Sequence, residues 1–419
     1  MEVLTEEESR SVMNSMVPPF TKHEIDKHEP HRPGSPAQNV LLIHGPGQQY
    51  KLSQQEIPST KSNDEILIKV IAVGLNPIDW KGPDYNFGLP SLPWINGRDL
   101  AGVVVKAPKN LRRIRVGDVI LTPSTDYRDI RKAAFQEYAI STEHNCARVP
   151  RDMPIQTSAV LGVAYVTSAI ALGICLGLDL SSLGGLFHGP NLRLLLRQVD
   201  PNLLASDVKE ECLSRIVESD YARDGEWIAI WGASSATGLV ALQIAKLCKL
   251  RTICIADIAR HGERLLQAGA DLLVDRYDTE RAIEIIRGVT KGKLHYGLDT
   301  VGKETATKLQ QCLASSSEDN RKSHLVGLTG LPKETVENVI HHKVPIKVFH
   351  DVPQVGESLM TLLEKLLLGR KLLPPEVETA VGGLNGINEA LDLLRSGMVT
   401  GKRLVVPLDQ SIKRTALAA

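Results

Sequence analysis

Residues 227–238, WIAIWGASSATG, decide the fold, because they read as a buried strand, a turn and the start of a helix. The strand WIAIW ends at Gly232, and the helical run LVALQIAKLCK begins directly after Gly238. A helix N-terminus after such a turn offers unpaired N–H groups and a positive dipole end to a pyrophosphate. Gly232 permits the tight turn, and Gly238 lets the helix pack close to the strand. The stretch therefore predicts a dinucleotide-binding loop.

The loop departs from the G-x-G-x-x-G fingerprint of dinucleotide-binding proteins. Its middle glycine, which lets the backbone approach the phosphates, is missing, and ASSAT stands between the two remaining glycines. We expect the hydroxyls of Ser234, Ser235 and Thr237 to donate to phosphate oxygens instead, although glycine pairs in such turns also occur for packing reasons. The predicted phosphate-binding residues are Gly232, Ser234, Ser235, Ala236, Thr237 and Gly238.

The next strand, RTICIAD, ends in Asp257, roughly 20 residues past Gly238. A carboxylate at this spacing usually holds the ribose 2′-OH and selects NADH. Arg260, His261 and Arg264 follow at once and suit a 2′-phosphate, so the sequence leaves NADPH and NADH open. A third interpretation of Asp257 is a helix N-cap.

Strands and helices alternate from Trp227 to Gly330, which predicts a parallel sheet covered by helices. Short β-rich runs punctuated by Gly, Pro and Asn fill roughly the 120 residues after Asn39, which indicates a β-dominated unit. The fold class is therefore α/β, and 419 residues suffice for two or three domains.

Composition excludes several classes of protein. Lys and Arg number 49, as do Asp and Glu, and aromatic residues make up only 4%, so neither a basic footprint nor a stacking platform for nucleic acid is expected. The six cysteines form no C-x-x-C pair, which is typical of a reducing compartment and predicts a cytoplasmic protein.

Three segments need separate interpretation. Residues 159–178 lack charge over a membrane-spanning length, but interspersed Gly, Ser, Thr and Tyr favour a buried helix, and no membrane partner is expected.

Residues 1–36, rich in Pro and charge, predict a disordered tail. Residues 179–224 read as a loop with two short amphipathic helices, and they suit a lid, a partner surface or a tolerated surface insertion.

Several motifs together resemble the medium-chain dehydrogenase/reductase family. They are VGLNPIDWK (73–81), GRDLAGVVV (97–105), RVGDVI (115–120), AFQEYAIS (134–141), AVLGVAYVTSAIAL (159–172) and GKRLVVPL (401–408). The resemblance implies a GroES-like β-barrel catalytic domain and a Rossmann doubly wound parallel sheet. The expected bounds are 37–158 with 345–419 for the first, and 159–344, carrying the insertion 179–224, for the second.

The zinc-binding members of this family have Cys at the cleft position and a His-Glu pair further on. Here the corresponding stretches are Leu75-Asn76-Pro77 and Gly97-Arg98-Asp99, which hold neither a thiolate nor an imidazole. The four-cysteine loop is also missing between Gly117 and Ala134. We predict no zinc and no other metal, which leaves alcohol oxidation without its Lewis acid.

The zinc-free branch of the family reduces activated double bonds, and the subgroup that this chain resembles is the fungal trans-acting enoyl reductases of polyketide pathways. The resemblance implies an NADPH-dependent enoyl reductase, with NADH possible because the subgroup often has Ser where Asp257 stands. It implies a small-molecule or carrier-bound enoyl substrate, a polyketide synthase partner, and a monomer or homodimer. A quinone or enal reductase of detoxification and a nucleotide-regulated binding protein without turnover are the alternatives.

The same resemblance assigns the remaining site residues. Asn76 and Thr167 are expected to orient the nicotinamide or to bond the enolate, and Tyr165 is a third catalytic candidate, with a core residue as its alternative. The substrate pocket is expected between the two domains, lined by Gly162, Val163, Ala164, Tyr165, Val166, Thr167, Ser168 and Ala169. Further expected cofactor contacts are Asn76, Pro77, Ile78, Asp79, Asp257, Ile258, Ala259, Arg260, Arg276 with Tyr277, Gly327, Leu328, Lys402 and Arg403.

Overall fold

The structure is a computed structural model that describes residues 36–183, 188–314 and 321–409. It divides into two compact units, Met1–Val163 with Pro374–Ala419 and Ala164–Leu373. These are called unit 1 and unit 2. The predicted tail, residues 1–36, lies outside the described residues except for Pro36.

The described residues form sixteen strands. In chain order they are β1 (Ala37–Ile43), β2 (Lys51–Glu56), β3 (Glu65–Gly74), β4 (Trp94–Ile95), β5 (Asp99–Lys106), β6 (Val119–Pro123), β7 (Tyr138–Thr142), β8 (Ala147–Arg148), β9 (Trp227–Trp231), β10 (Arg251–Ala256), β11 (Leu272–Asp275), β12 (Tyr296–Asp299), β13 (Ser323–Gly327), β14 (Val339–His342), β15 (Glu376–Thr379) and β16 (Lys402–Pro407).

Twelve α-helices accompany these strands in the same part of the chain. They are α1 (Pro77–Tyr85), α2 (Ile155–Ser158), α3 (Gly162–Ile170), α4 (Leu192–Arg197), α5 (Ser206–Leu213), α6 (Ala236–Leu247), α7 (Ile258–Gln267), α8 (Thr279–Thr290), α9 (Lys303–Cys312), α10 (Val348–Asp351), α11 (Pro353–Leu368) and α12 (Ile387–Arg395). A π-helical turn, Ala171–Cys175, continues α3.

Unit 1 is built from antiparallel β-structure. One sheet has the order β2-β1-β4, and the other has the order β15-β16-β3-β5-β6-β8, with β7 paired to β3. Only β15 and β16 pair in parallel among these strands. Apolar side chains such as Ile68, Leu100 and Phe135 fill the core between them, which is the arrangement expected of the GroES-like domain.

Unit 2 contains a parallel sheet of order β11-β10-β9-β12-β13-β14. Counted within this unit, the order is 3-2-1-4-5-6, which is that of dinucleotide-binding sheets. Its strands are near-continuous apolar runs because a parallel sheet is buried on both faces. The α/β prediction is confirmed for this unit.

The second domain boundary differs from the expected one. We expected the chain to return to the β-unit at 345, but residues 345–373 belong to unit 2. The reason is α11, whose apolar face is buried and whose Leu359 carbonyl accepts a hydrogen bond from Tyr165 in α3. The first boundary lies at Val163 and Ala164, five residues beyond the expected one.

The described residues hold one helical segment that is long and apolar enough to span a membrane, Ile155–Cys175. Of its most apolar stretch, 89% is buried inside the protein. This burial is that of a core helix, which is what the sequence predicted for this segment.

Residues 179–224 contain the two expected short helices, α4 and α5. Leu192, Leu196 and Cys212 are buried, and Arg215 donates two hydrogen bonds to the carbonyl of His341 in the edge strand β14. The segment therefore belongs to the core of unit 2 and covers a sheet edge. This packing corrects the interpretation of a tolerated surface insertion, because removing it would expose apolar side chains.

Candidate functional site

The two glycines of the loop after β9 are fixed by space and backbone conformation. Gly232 has φ +81°, and a Cβ there would overlap Thr300 Oγ1 and Val301 Cγ2. A Cβ on Gly238 would lie 2.5 Å from the carbonyl oxygen of Gly232. Only glycine therefore lets α6 begin so close to the end of β9.

Ser235 begins α6 as its N-cap. Its Oγ accepts a hydrogen bond from Gly238 N at 3.0 Å and lies 3.0 Å from Thr300 Oγ1. Thr300 Oγ1 in turn lies within donating distance of the Gly232 carbonyl, at 3.0 Å. The Ser235 hydroxyl thus has partners within the protein, and its expected contact with a phosphate stays a prediction.

The loop retains other donors at the same end of the sheet. The first-turn N–H groups of Ala236 and Thr237 have no carbonyl to bond within their helix, as at every helix N-terminus. Ser234 lines the adjacent pocket. An anion at this place would meet backbone N–H groups and the positive end of the α6 dipole.

Asp257 caps the next helix, α7. One carboxylate oxygen, Oδ1, accepts from Arg260 N at 3.2 Å, and the other, Oδ2, accepts from the Tyr277 hydroxyl at 3.1 Å. Arg260 Nε lies 3.5 Å from Oδ2, and Arg276 donates to the Tyr277 hydroxyl. The structure shows the helix cap, one of the three interpretations of Asp257, and the other two stay predictions.

A pocket of about 220 Å³ lies between the loop and this group. Its lining residues are Trp231, Gly232, Ser234, Ala256, Arg276, Tyr277, Thr279, Val301, Glu304, Thr305 and Lys308. The sequence predicted the loop, Arg276 and Tyr277 as site residues but not the residues after β12 and on α9. The stretch GLDTVG (297–302) contains the end of β12, but only the strand order of the sheet places β12 beside β9.

The buried residue Asp299 ends β12 at the same edge of the sheet. Its Oδ1 accepts from the N–H groups of Val301 and Gly302, and burial raises the pKa of its carboxyl to about 6. Leu328, an expected cofactor contact, donates from its backbone N to the Asp299 carbonyl at the end of β13, directly after Gly327. The expected positions 327 and 328 therefore lie two strands from the loop.

Helix α3 was expected to line the substrate pocket. Of the eight residues 162–169, Val163 and Thr167 are half-buried and the others are buried. Tyr165 is fully buried, its hydroxyl donates to the Leu359 carbonyl at 3.0 Å, and burial raises its pKa. This corrects the catalytic interpretation of Tyr165, because the structure shows a core residue with a satisfied hydroxyl. Thr167 stays a prediction.

Unit 1 holds a network around Asp99, here called the Asp99 cluster. Asp99 Oδ1 accepts from Val163 N at 2.7 Å, and Oδ2 accepts from Asn76 Nδ2 at 3.0 Å. Arg403 Nη2 donates to Asn76 Oδ1 at 2.8 Å and lies 3.3 Å from Asp99 Oδ2. The Asn76 amide therefore has partners at both ends within unit 1, and Arg403 Nη2 bonds to both Asn76 and Asp99. The expected contacts of Asn76 and Arg403 with the nicotinamide cofactor stay predictions.

Two further charged residues are buried beside this network. Asp79 is fully buried, its Oδ2 accepts from Asn76 N at 2.8 Å, and burial raises the pKa of its carboxyl to about 7. Arg98 is 3% exposed and lies 3.9 Å above the ring of Tyr127. Asp79 Oδ1, Arg98 Nε and Arg403 Nε have no hydrogen-bond partner among the described residues. These unpaired atoms distinguish the Asp99 cluster from an ordinary structural network.

The other expected contacts in unit 1 are less enclosed. Pro77 is exposed and Ile78 is half-buried at the start of α1. Lys402 is exposed, with its ammonium 3.9 Å from Glu378. Their expected contact with a cofactor stays a prediction.

Two family models match the chain, the alcohol dehydrogenase GroES-like domain at residues 62–151 and the zinc-binding dehydrogenase domain at 236–347. The chain is similar to a trans-enoyl reductase of Botryotinia fuckeliana, 26% identical over 393 residues, which are 87% of this chain and 98% of that protein. A trans-enoyl reductase of Penicillium oxalicum is 27% identical over 370 residues, covering 82% and 86%. The Escherichia coli quinone oxidoreductase complexed with NADPH superposes with a TM-score of 0.62 at 17% identity, covering 88% and 99% of the two chains.

That last likeness establishes the fold alone. Together with the order of the two matched domains, one in each unit, it agrees with the strand order of unit 2 and the β-structure of unit 1. The chain therefore matches the alcohol dehydrogenase GroES-like domain in unit 1 and the zinc-binding dehydrogenase domain in unit 2, and its fold is similar to that of the quinone oxidoreductase.

Proposed function

We propose that the protein is an NADPH-dependent enoyl reductase that reduces an activated carbon–carbon double bond, acting in trans on a carrier-bound polyketide intermediate. The observation that carries the proposal is the loop after β9, an anion-binding helix N-terminus in a chain that matches trans-enoyl reductases over nearly their whole length. The expected absence of zinc from the family's catalytic position is part of the proposal. It rests on the residue types at positions 75–77 and 97–99, none of which is a cysteine or histidine.

The residues around the loop fit a dinucleotide. Gly232 and Gly238 allow the close packing of the turn against Thr300 and of α6 against the turn, and the first turn of α6 supplies N–H donors for the pyrophosphate. Arg276 and Lys308 line the neighbouring pocket, and Arg260 is exposed beside it. Three cations near one ribose favour a 2′-phosphate over a hydroxyl.

Asp257 also contacts the residues beside the proposed 2′-phosphate. In NADH-selective sheets a carboxylate at this position accepts from the ribose hydroxyl. Here Oδ1 already accepts from Arg260 N and Oδ2 from the Tyr277 hydroxyl, and each oxygen keeps a second lone pair. We propose that Asp257 orients Tyr277 and Arg260 toward the cofactor.

When bound, the reduced nicotinamide supplies a hydride to the β-carbon of the substrate. The protein then has to stabilise an enolate oxygen and exclude competing reactions. We propose Thr167 as the hydroxyl that orients reacting groups, because it is the half-buried polar side chain of α3. Asn76 is a positioning residue that acts through Asp99 and Arg403. Solvent or substrate supplies the α-proton, so no single residue is expected to abolish turnover.

The proposal is tested with purified full-length protein. NADPH and NADH binding are measured first, and oxidation at 340 nm is then followed with a crotonyl thioester and with a benzoquinone. We expect tighter NADPH binding and oxidation with the thioester. Oxidation with quinone alone would replace the proposal by a quinone reductase, and binding without oxidation by any acceptor would indicate a nucleotide-binding protein.

A further inference from the structure

A group of metal-ligand side chains lies away from the proposed nucleotide site. The Sγ of Cys175, a carboxylate oxygen of Glu211 and a ring nitrogen of His342 lie within 4.8 Å of one another, and all three residues are enclosed in unit 2. Cys175 ends the π-helical turn after α3, Glu211 lies on α5, and His342 ends β14. Elements from three distant parts of the chain thus bring a thiol, a carboxylate and an imidazole together.

The three side chains continue into a chain of polar contacts. His342 Nδ1 lies 2.5 Å from Glu211 Oε1, and His342 Nε2 lies 2.8 Å from His324 Nδ1. His324 Nε2 in turn lies 3.5 Å from Asp220 Oδ2. Both histidines are completely buried, so their protons have to be placed by these neighbours.

Neutral imidazoles cannot satisfy this chain on their own. If His342 Nδ1–H donates to the Glu211 carboxylate, His342 Nε2 has to accept the proton of His324 Nδ1. His324 Nε2 then presents a lone pair to the Asp220 carboxylate, and two acceptors face each other. In agreement with this, His324 Nε2 has no hydrogen-bond partner among the described residues.

A cation on His342 Nδ1 removes the conflict. The His342 proton then resides on Nε2 and is donated to His324 Nδ1, which leaves His324 Nε2–H directed at Asp220. A metal-bound histidine ordinarily donates its second N–H in this way, which fixes its tautomer and orientation. The polar chain from His342 to Asp220 is therefore the outer shell that a metal site requires.

The surroundings supply rigidity. Buried Arg193 donates to the carbonyls of Glu211 and Cys212 and so fixes the end of α5 that carries Glu211. A surface cavity of about 530 Å³ is lined by Asp220, the far end of the polar chain.

We propose that Cys175, Glu211 and His342 bind one divalent transition-metal ion, for which Zn²⁺ fits the donor set best. Thiolate, imidazole and carboxylate are the Zn²⁺ ligands of proteins, at about 2.0–2.3 Å, so ligand atoms around a shared ion lie roughly 3.3–3.8 Å apart. Side-chain shifts of about 1 Å bring the three atoms to that spacing. Binding releases the Cys175 thiol proton to solvent, and thiolate and carboxylate together balance the charge of the ion.

The ion would fasten residues 179–224 to the edge strand β14, a structural role that is independent of the proposed reductase activity. The prediction of no metal was based on the family's zinc positions in the sequence, and none of the three residues belongs to them. Their spacing of 36 and 131 residues, as read from their numbers, resembles no short zinc motif.

The test uses full-length protein purified without a metal-affinity tag, freed of metal with a chelator and titrated with Co²⁺. We expect one Co²⁺ per chain, a near-ultraviolet charge-transfer band from thiolate ligation, and displacement of the ion by Zn²⁺. Binding without that band, or no stoichiometric binding, would overturn the proposal. A second proton on His342 would then be what supplies the missing donor in the chain of polar contacts. The measurement needs no variant, so a misfolded mutant cannot obscure it.

Variants locate the site. Cys175→Ser should weaken Zn²⁺ binding at least about 100-fold, and His324→Gln should weaken it about 10- to 100-fold while the thiolate band remains. Cys312→Ser, at another buried thiol of unit 2, is the matched control and should leave Zn²⁺ affinity unchanged. Equal affinity of the Cys175 and Cys312 variants would contradict the assignment.

Discussion

The loop after β9 and the Asp99 cluster arrange their polar groups in opposite ways. The loop uses backbone N–H groups at a helix N-terminus, and the half-buried hydroxyl of Ser235 caps that helix. The Asp99 cluster uses buried charged side chains that bond to one another, and Asp79 Oδ1 and Arg98 Nε have no hydrogen-bond partner within the described ranges. The loop therefore tolerates no added side chain, whereas the cluster tolerates no loss of a charge.

The largest effect is expected in the cluster. Arg403→Met leaves Asp99 buried without its counter-charge, and uncompensated buried charges cost roughly 3–5 kcal/mol of folding free energy. Urea denaturation of the full chain measures this loss. Lys402→Met, next in sequence but exposed, is the matched control and should change stability by less than about 0.5 kcal/mol. Similar losses in both variants would show that Arg403 contributes packing rather than charge.

A substitution in the loop after β9 should change the affinity for NADPH. Gly232→Ala forces a left-handed backbone on a residue with a Cβ and drives that Cβ into Thr300 and Val301. We expect NADPH affinity to fall at least about 100-fold, or roughly 2.7 kcal/mol, in a fluorescence titration. Gly225→Ala is the control, because its φ is also +81° but its Cβ meets open space. If both variants bind NADPH equally well, close approach at Gly232 does not matter.

Charge at the edge of the loop should have a smaller effect. Asp257→Asn keeps an acceptor for Arg260 N but removes the negative charge beside the proposed 2′-phosphate, so NADPH affinity should rise about 5- to 10-fold, or about 1–1.4 kcal/mol. NADH affinity should change little. Asp278→Asn, the cap of α8, removes the same charge from a similar position and serves as control. An equal gain in both variants would indicate general electrostatics rather than recognition at Asp257.

The same two regions explain what the sequence could reveal. The loop was predictable because its strand, glycines and helix are contiguous, and each step of the argument is local. The role of Ser235 was not, since Thr300, its partner 65 residues away, becomes a neighbour only through strand order. Tyr165 was correctly given a core alternative, because a tyrosine in an apolar helix is ordinarily buried.

The residues of the Asp99 cluster could be predicted from the sequence only in part. Asn76, Asp79 and Arg403 were named from the resemblance as separate cofactor contacts, and nothing in their spacing joined them to Asp99. Their pairing depends on β3, β5 and β16 being adjacent strands of one sheet. The boundary at 345 was wrong for a related reason, since α11 is amphipathic and its sequence does not say which unit its apolar face contacts.

The last effect concerns the pH response of the cluster. Burial raises the pKa of the Asp79 carboxyl to about 7, so the folded chain keeps a proton that the unfolded chain releases near pH 4. The contribution of this proton to the free energy of unfolding is complete below about pH 4 and decreases as the pH rises toward 7. Above about pH 7 it does not decrease further. Urea denaturation between pH 5 and 7.5 should therefore show wild-type protein losing about 1 kcal/mol or more relative to Asp79→Asn. Asp118→Asn, at a turn of the same unit, is the control, and its stability should change with pH as that of the wild type does. If the stability of Asp79→Asn also changes with pH as that of the wild type does, Asp79 is ionised throughout. Arg98 and Arg403 would then compensate its charge, although Arg98 Nε and Arg403 Nε have no hydrogen-bond partner among the described residues.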